Sequence, residues 1–239
     1  MTKKLSDQNM SYREELVNSI ERNYIFSKKP INRFKIKKTD NSNRNFDKNS
    51  RIIELKKLID SIQNCNLKKN AKKLILGDGD INSPIMIIGE APGLQEEKVG
   101  KTFQGESGVL LEKMLEAINI QKKDIFSSYA INFRPPEDRK PTSQEIKRYS
   151  VFLKELISII DPKIIILFGS TAMESVTSSN ERISNERGKW KEIILRNKTY
   201  PLMITFSPSY LLRFPENKKF SWEDLKRIRQ KILDLKIKF

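Results

Sequence analysis

Apolar residues in this 239-residue chain fall into short unbroken runs and helical periods. Ile52, Leu55, Leu58, Ile59 and Ile62 recur at the spacing of a helix with one buried face. Residues 84–88, 125–131, 163–168 and 200–205 are apolar almost throughout, which predicts strands buried on both faces. Helical periods separate them. One covers 107–118. A second starts at Pro141-Thr142-Ser143-Gln144-Glu145 and runs to about Ile160, where Asp161-Pro162 ends it. Gly169-Ser170 turns into a short third helix, 171–176. A closing helix over 220–235 puts Trp222, Leu225, Ile228 and Ile232 on one face. Apolar strands alternating with helices predict an α/β fold. The expectation is a three-layer α/β/α sandwich around a central, mostly parallel four-stranded sheet.

Residues 1–50 break this pattern. A short helix is expected over 16–25, and residues 28–50 are rich in Lys, Asn and Arg without a period. The chain therefore divides into a basic, disordered or partly helical extension, 1–50, and a folded domain, 51–239. The extension holds 12 basic and 6 acidic residues, and the whole chain 46 Lys+Arg against 30 Asp+Glu, a formal charge of +16. Such a surplus attracts polyanions, and nucleic acid is the first partner to consider. No apolar stretch approaches the roughly 18 residues of a membrane span. The first twelve residues lack the apolar core of a secretion signal, so a cytoplasmic protein is expected; a monomer is expected as well. One cysteine excludes an intrachain disulfide, and the chain contains no histidine. Any acid–base chemistry must use carboxylates, hydroxyls, lysines or backbone dipoles.

Ligands of parallel α/β sheets sit at the carboxyl ends of the strands. Three stretches of unusual composition fall there, after the first, second and fourth strands, and a glycine-bracketed loop lies between the first two. Gly89-Glu90-Ala91-Pro92-Gly93 follows the first strand, and its small residues let a flat ligand approach the backbone beside the Glu90 carboxylate. Phe103 lies in the glycine-bracketed loop 100–108, where a ring can stack on a flipped base. After the second strand comes Asn132-Phe133-Arg134-Pro135-Pro136-Glu137-Asp138-Arg139-Lys140-Pro141, with Arg134, Arg139 and Lys140 as phosphate contacts. After the fourth comes Ser207-Pro208-Ser209-Tyr210-Leu211-Leu212-Arg213. Neither the dinucleotide glycine fingerprint nor a Walker A sequence is present.

Together these segments resemble the iron–sulfur (family 4) type of the uracil-DNA glycosylase superfamily. The resemblance rests on GEAPG, on Phe103-x-Gly105-x-Ser107-Gly108, on Arg134-Pro135-Pro136, on Thr205-x-Ser207-Pro208-x-x-Leu211-Leu212-Arg213 and on Trp222-Glu223-Asp224-Leu225. It implies base-excision repair: hydrolysis of the N-glycosidic bond of uracil, or a related deaminated base, in double- or single-stranded DNA. Glu90 would position water. Gly89, Ala91, Pro92, Gly93, Phe103 and Tyr129 would line the base site. Ser209, Leu211, Leu212 and Arg213 would enter the DNA groove, with the two leucines as an apolar wedge.

The sequence departs from the family at three places. The family's histidine corresponds to Ser207, a shorter donor that cannot carry positive charge. The asparagine that reads the base edge corresponds to Tyr129. Of four cluster cysteines only Cys65 remains, the others falling at Lys68, Phe133 and Tyr149. One thiolate cannot hold a [4Fe–4S] cluster, so no cluster and no metal are expected, with packing in their place. Three readings stay open: a glycosylase working with Glu90 and Ser207, a catalytically inactive DNA-binding member of the same superfamily, and a decayed or structural protein with no nucleic-acid role.

Overall fold

The computed structural model describes residues 41–238. The helix expected over 16–25 and the boundary at residue 50 concern a stretch lying mostly outside that range. Helix α1 spans Asn41–Asp60. It begins eleven residues before the expected Ile52, so 41–50 is helical rather than aperiodic. The apolar period begins only at Ile52, which is why the sequence hides the first turns. Leu55 and Ile59 are buried, whereas Leu58 is 58% exposed and does not belong to the packed face.

Six strands, not four, form one mixed sheet: β1 (Asp78–Gly79), β2 (Ile85–Gly89), β3 (Phe126–Tyr129), β4 (Ile164–Phe168), β5 (Trp190–Leu195) and β6 (Lys198–Thr205). Their order is β1-β3-β2-β4-β6-β5. The four expected strands form the parallel centre, β3-β2-β4-β6. The two additional strands pair antiparallel at the edges. Each escaped notice for a physical reason. β1 has two residues, too few for a period. β5 is an edge strand whose exposed side carries Glu192 and Ile194, so it reads as neither a buried run nor a clean alternation.

Successive residues of the central strands feed opposite cores. Met86, Ile88, Ile165, Leu167, Leu202 and Ile204 pack with Leu55 and Ile59 of α1 and with Ile146, Tyr149, Leu153, Leu156 and Ile157 of a long helix. Ile85, Ile87, Ile164, Ile166, Phe168 and Met203 pack on the other side with Leu111, Leu115, Leu225, Ile228 and Ile232. This is the three-layer α/β/α class. The helices after α1 are α2 (Asn66–Asn70), α3 (Leu94–Val99), α4 (Gly105–Glu116), α5 (Ser143–Ile160), α6 (Ser170–Thr177), α7 (Ile183–Glu186), α8 (Pro208–Arg213) and α9 (Lys218–Asp234). Helix α5 starts on a reciprocal cap: Thr142 Oγ1 accepts from the Glu145 amide (3.3 Å) and Glu145 accepts from the Thr142 amide (2.8 Å). On α9, Leu225, Ile228 and Ile232 are buried, but Trp222 is 43% exposed and is not part of the core face.

The strand ends are level. Gly89 stands opposite Tyr129, and Phe168 opposite Thr205. The loops that leave those residues therefore open on one rim. Among the described residues, no helix is long and apolar enough to cross a membrane.

Candidate active site

A cavity of about 620 Å³ occupies that rim. This lies within the range of about 300–1,000 Å³ usual for small-molecule sites. It gathers Gly89, Glu90, Ala91, Pro92 and Gly93 from the loop after β2, Phe103 and Tyr129, Arg139 and Lys140, and Ser207, Ser209 and Arg213. Segments far apart in sequence thus converge on one space.

Glu90 is fixed by the start of α6. Its Oε1 accepts from the Thr171 amide (3.2 Å) and from Ser170 Oγ (3.5 Å). The first turn of a helix offers unpaired amides and a partial positive charge, and a carboxylate is the natural partner. Gly169 makes the approach possible. A Cβ there would sit 2.3 Å from Glu90 Cδ, and its φ of +99° suits glycine. Both bonds use Oε1, so Oε2 remains for a water or substrate atom.

The floor is aromatic. Tyr129 and Phe103 lie with ring centroids 5.0 Å apart, and Phe168 meets Phe103 edge-on at 6.4 Å. Gly89 lets both rings reach the strand end: a Cβ there would come within 2.6 Å of Tyr129 and 2.8 Å of Phe103. Phe103 has φ of +48°, a conformation that costs a non-glycine residue of order 1–3 kcal/mol and persists only where neighbours enforce it. The enforcing contact is Tyr129, whose hydroxyl accepts from the Phe103 amide (2.8 Å) and donates to Glu96 Oε1 (3.4 Å). Burial, and then the Glu96 charge, push the Tyr129 hydroxyl well above its ordinary value, so it stays protonated. Tyr129 therefore spends its hydroxyl inside the protein and offers the cavity a ring.

Glu96 was not singled out from the sequence. Buried, it accepts from the amides of Gly93 (3.0 Å) and Gln104 (2.9 Å) and ties the two pocket loops together. Its signal was the Gly93-to-Glu96 spacing of a helix start. Phe168, Gly169, Thr171, Phe206 and Tyr210 also line the cavity. All lie at or just after the carboxyl ends of strands β4 and β6, so the strand-end rule alone would have found them.

Ser207 is buried and caps α8, accepting from the Tyr210 amide (3.3 Å) with Ser209 Oγ 3.1 Å away. The cap uses an oxygen lone pair, and the hydroxyl proton remains available to Ser209 or to a ligand. Leu211 is 1% exposed and packs in the core. The helical turn from Pro208 points it inward. Leu212, 37% exposed, faces out. Two expected phosphate contacts are already paired: Arg134 with Asp138 (2.7 Å) and Glu97 (3.4 Å), and Arg139 with Glu145 (2.7 Å). Lys140 Nζ reaches only Ser170 Oγ (3.2 Å) and Arg213 Nε only the Ser209 carbonyl (3.4 Å), leaving both charges without a carboxylate among the described residues.

Three of the four positions expected to correspond to cluster ligands pack together. Cys65 Sγ lies 3.2 Å from the Tyr149 hydroxyl, and the Phe133 ring meets Tyr149 edge-on at 6.1 Å. All three are buried in one apolar cluster. Lys68 turns away to the Asp60 carbonyl. A thiol, a phenyl ring and a phenol are not a donor set for an iron–sulfur cluster. Among the described residues no three His, Cys, Asp or Glu side chains come together as metal ligands.

The fold and this rim define a class of protein. Residues 76–227 match the uracil DNA glycosylase superfamily, and the chain belongs to it. Within that superfamily it is similar to type-4 uracil-DNA glycosylases. It is 33% identical over 168 residues to the one from Thermotoga maritima, covering 69% of this chain and 86% of the relative. With the one from Sulfurisphaera tokodaii it shares 32% over 187 residues, 75% of this chain and 84% of the relative. It is also 31% identical over 160 residues to a DNA polymerase of Bacillus phage SP01, a match to 66% of this chain and 17% of that protein.

Proposed function

We propose that this protein is a uracil-DNA glycosylase, hydrolysing the N-glycosidic bond of uracil or a related deaminated base in DNA. The observation that carries it is the seating of Glu90. In a chain of this superfamily, a carboxylate anchored through one oxygen on the Thr171 amide faces an aromatic-floored cavity sized for a small ligand.

The target base would enter over Phe103 and Phe168. As the N1–C1′ bond lengthens, the sugar becomes oxocarbenium-like and the electron pair stays on the base. Glu90 would orient a water toward C1′. Ser207 and the loop amides at Ala91 would support the negative charge on the leaving base, and the water's proton would end on solvent or base. Positioning and charge stabilisation do most of this work, because the uracil anion is a tolerable leaving group. The packed Cys65–Phe133–Tyr149 cluster supports a domain that folds without iron, and no step needs a metal. Lys140, Leu212 and Arg213 are the DNA contacts best placed for the role. The basic residues 1–50 would add backbone contacts that weaken with salt.

A second reading is favoured by two specific observations. Tyr129 gives its hydroxyl to Phe103 and Glu96, and Ser207 gives a lone pair to its own helix. A pocket so committed could hold DNA without cutting it. Incubation with labelled oligonucleotides carrying one uracil, hypoxanthine or xanthine, in single and double strands, followed by alkali, separates the readings. Strand breaks that disappear in Glu90→Ala support the enzyme. Retained binding without breaks, at high protein excess, supports the inactive binder.

A further inference from the structure

Three aromatic rings step outward from the cavity. Phe206 is 5% exposed and lines the cavity wall. Tyr210 stacks on it at 4.8 Å and 26°, and Phe214 follows Tyr210 at 4.9 Å and 39°. Phe214 is 43% exposed, and among the described residues no further ring stacks on it. The ladder is rigid. Asn217 Nδ2 donates to the Tyr210 hydroxyl (3.2 Å), and the Phe214 amide donates to the Tyr210 carbonyl (2.9 Å). Arg187, held by Asp224, lies over Phe206 at 5.8 Å and over the exposed Phe220 at 5.3 Å. Arg213, on the cavity rim, and Lys219, over the Phe220 ring at 5.1 Å, make no ion pair with a carboxylate among the described residues, unlike Arg134 and Arg139 on the opposite loop.

Phe206 belongs to the core and Tyr210 packs against it, but Phe214 lies outside both core clusters, so packing does not account for its ring. A solvent-exposed phenylalanine at the end of a braced ring stack, flanked by uncompensated cations, is the combination that binds single-stranded nucleic acid: bases stack on rings while the cations follow the backbone. We propose that Phe214, braced from behind by Tyr210, forms a stacking platform for an unpaired DNA base next to the one in the cavity, so that the protein prefers single-stranded DNA. The inference rests on the proposed function only in treating the cavity as the place of the target base. Stacking requires neither excision nor Glu90. A duplex would keep its bases paired and present Phe214 with a groove edge instead of a base face.

The test uses the full chain and its Phe214→Ala and Phe214→Trp variants. Binding is read by fluorescence anisotropy on a single-stranded oligonucleotide and on its duplex. Both carry a tetrahydrofuran site with 2-aminopurine on its 5′ or 3′ side. Phe214→Ala is expected to lower single-strand affinity roughly 5- to 150-fold, the effect of losing one stacked base, with a smaller change on duplex. Binding of the wild type should change the 2-aminopurine signal on at least one side. Phe214→Trp should keep that change and Phe214→Ala should lose it. Unchanged affinity in Phe214→Ala, or equal losses on both DNA forms without any change in 2-aminopurine signal, overturns the platform. The latter outcome assigns Phe214 to a duplex wedge. Excision of uracil is measured in parallel. A wild type that stacks but does not excise contradicts the glycosylase and leaves the platform standing.

Discussion

At the scale of single residues, the account turns on which polar atoms are already occupied. Glu90 uses one carboxylate oxygen on α6 and keeps the other free. Glu90→Gln keeps the shape and removes the charge. It should slow excision about 10²–10⁴-fold, the range for a positioned acid–base group, with melting temperature unchanged. Single-turnover rates on a uracil oligonucleotide check this. Gly169→Ala should do comparable damage without touching Glu90 chemically, because a Cβ 2.3 Å from Cδ must displace the carboxylate. An activity equal to wild type in Gly169→Ala would show that the position of Glu90 does not matter. The sequence made Glu90, Phe103 and the loop glycines legible, since Gly-Pro loops after apolar runs are local signals. It could not show that Leu211 is core and Leu212 is surface, because one helical turn decides that. Nor could it show the pairing of Arg134 and Arg139, whose partners Glu97 and Glu145 are recognisable only once the loops close.

At the scale of elements, two junctions carry the site. Ser207 caps α8 while facing the cavity, so its substitution has a structural and a chemical part. Ser207→Ala should cost about 1 kcal/mol of stability from the lost cap. The second junction joins α2, α5 and the loop after β3 through Cys65, Tyr149 and Phe133. Tyr149 is fully buried in that cluster, and Tyr149→Ala should destabilise the fold by about 3–5 kcal/mol, as for other large aromatic truncations. Denaturant unfolding measures both. If Tyr149→Ala were neutral, the idea that packing does the work of a cluster would lose its support. The central strands and α5 were readable because their apolar runs and cap residues are contiguous. Strands β1 and β5 were not, because a two-residue edge and a half-exposed edge owe their pairing to neighbours rather than to their own pattern.

At the scale of the whole molecule, three buried tyrosines set the alkaline limit. Burial raises Tyr129, with the Glu96 charge adding to it. Burial and then the bond to Cys65 raise Tyr149, and burial and then the bond to Asp161 push Tyr200 up to about 12. A phenol whose folded value is raised favours the fold fully below its unfolded value, near 10, and loses that contribution as pH climbs through the folded value. Stability should therefore fall between about pH 10 and pH 12, and Tyr129→Phe should flatten part of that fall. Melting curves across that range test it; a slope unchanged in the variant would remove Tyr129 from the account. The positive charge of +16 acts at the same scale and would draw DNA toward a rim where Lys140 and Arg213 meet no carboxylate among the described residues.

On the proposed function, this cavity cleaves the glycosidic bond with a serine where the resembled family carries histidine. The most direct measurement is single-turnover release of uracil from a single-stranded oligonucleotide by the wild type, Glu90→Gln and Ser207→His. The account predicts release by the wild type and a large loss in Glu90→Gln. It also predicts a gain in Ser207→His of up to roughly 10²–10³-fold, the worth of one strong donor to the leaving charge. No release by the wild type above the spontaneous rate, at protein excess and with DNA bound, would contradict it.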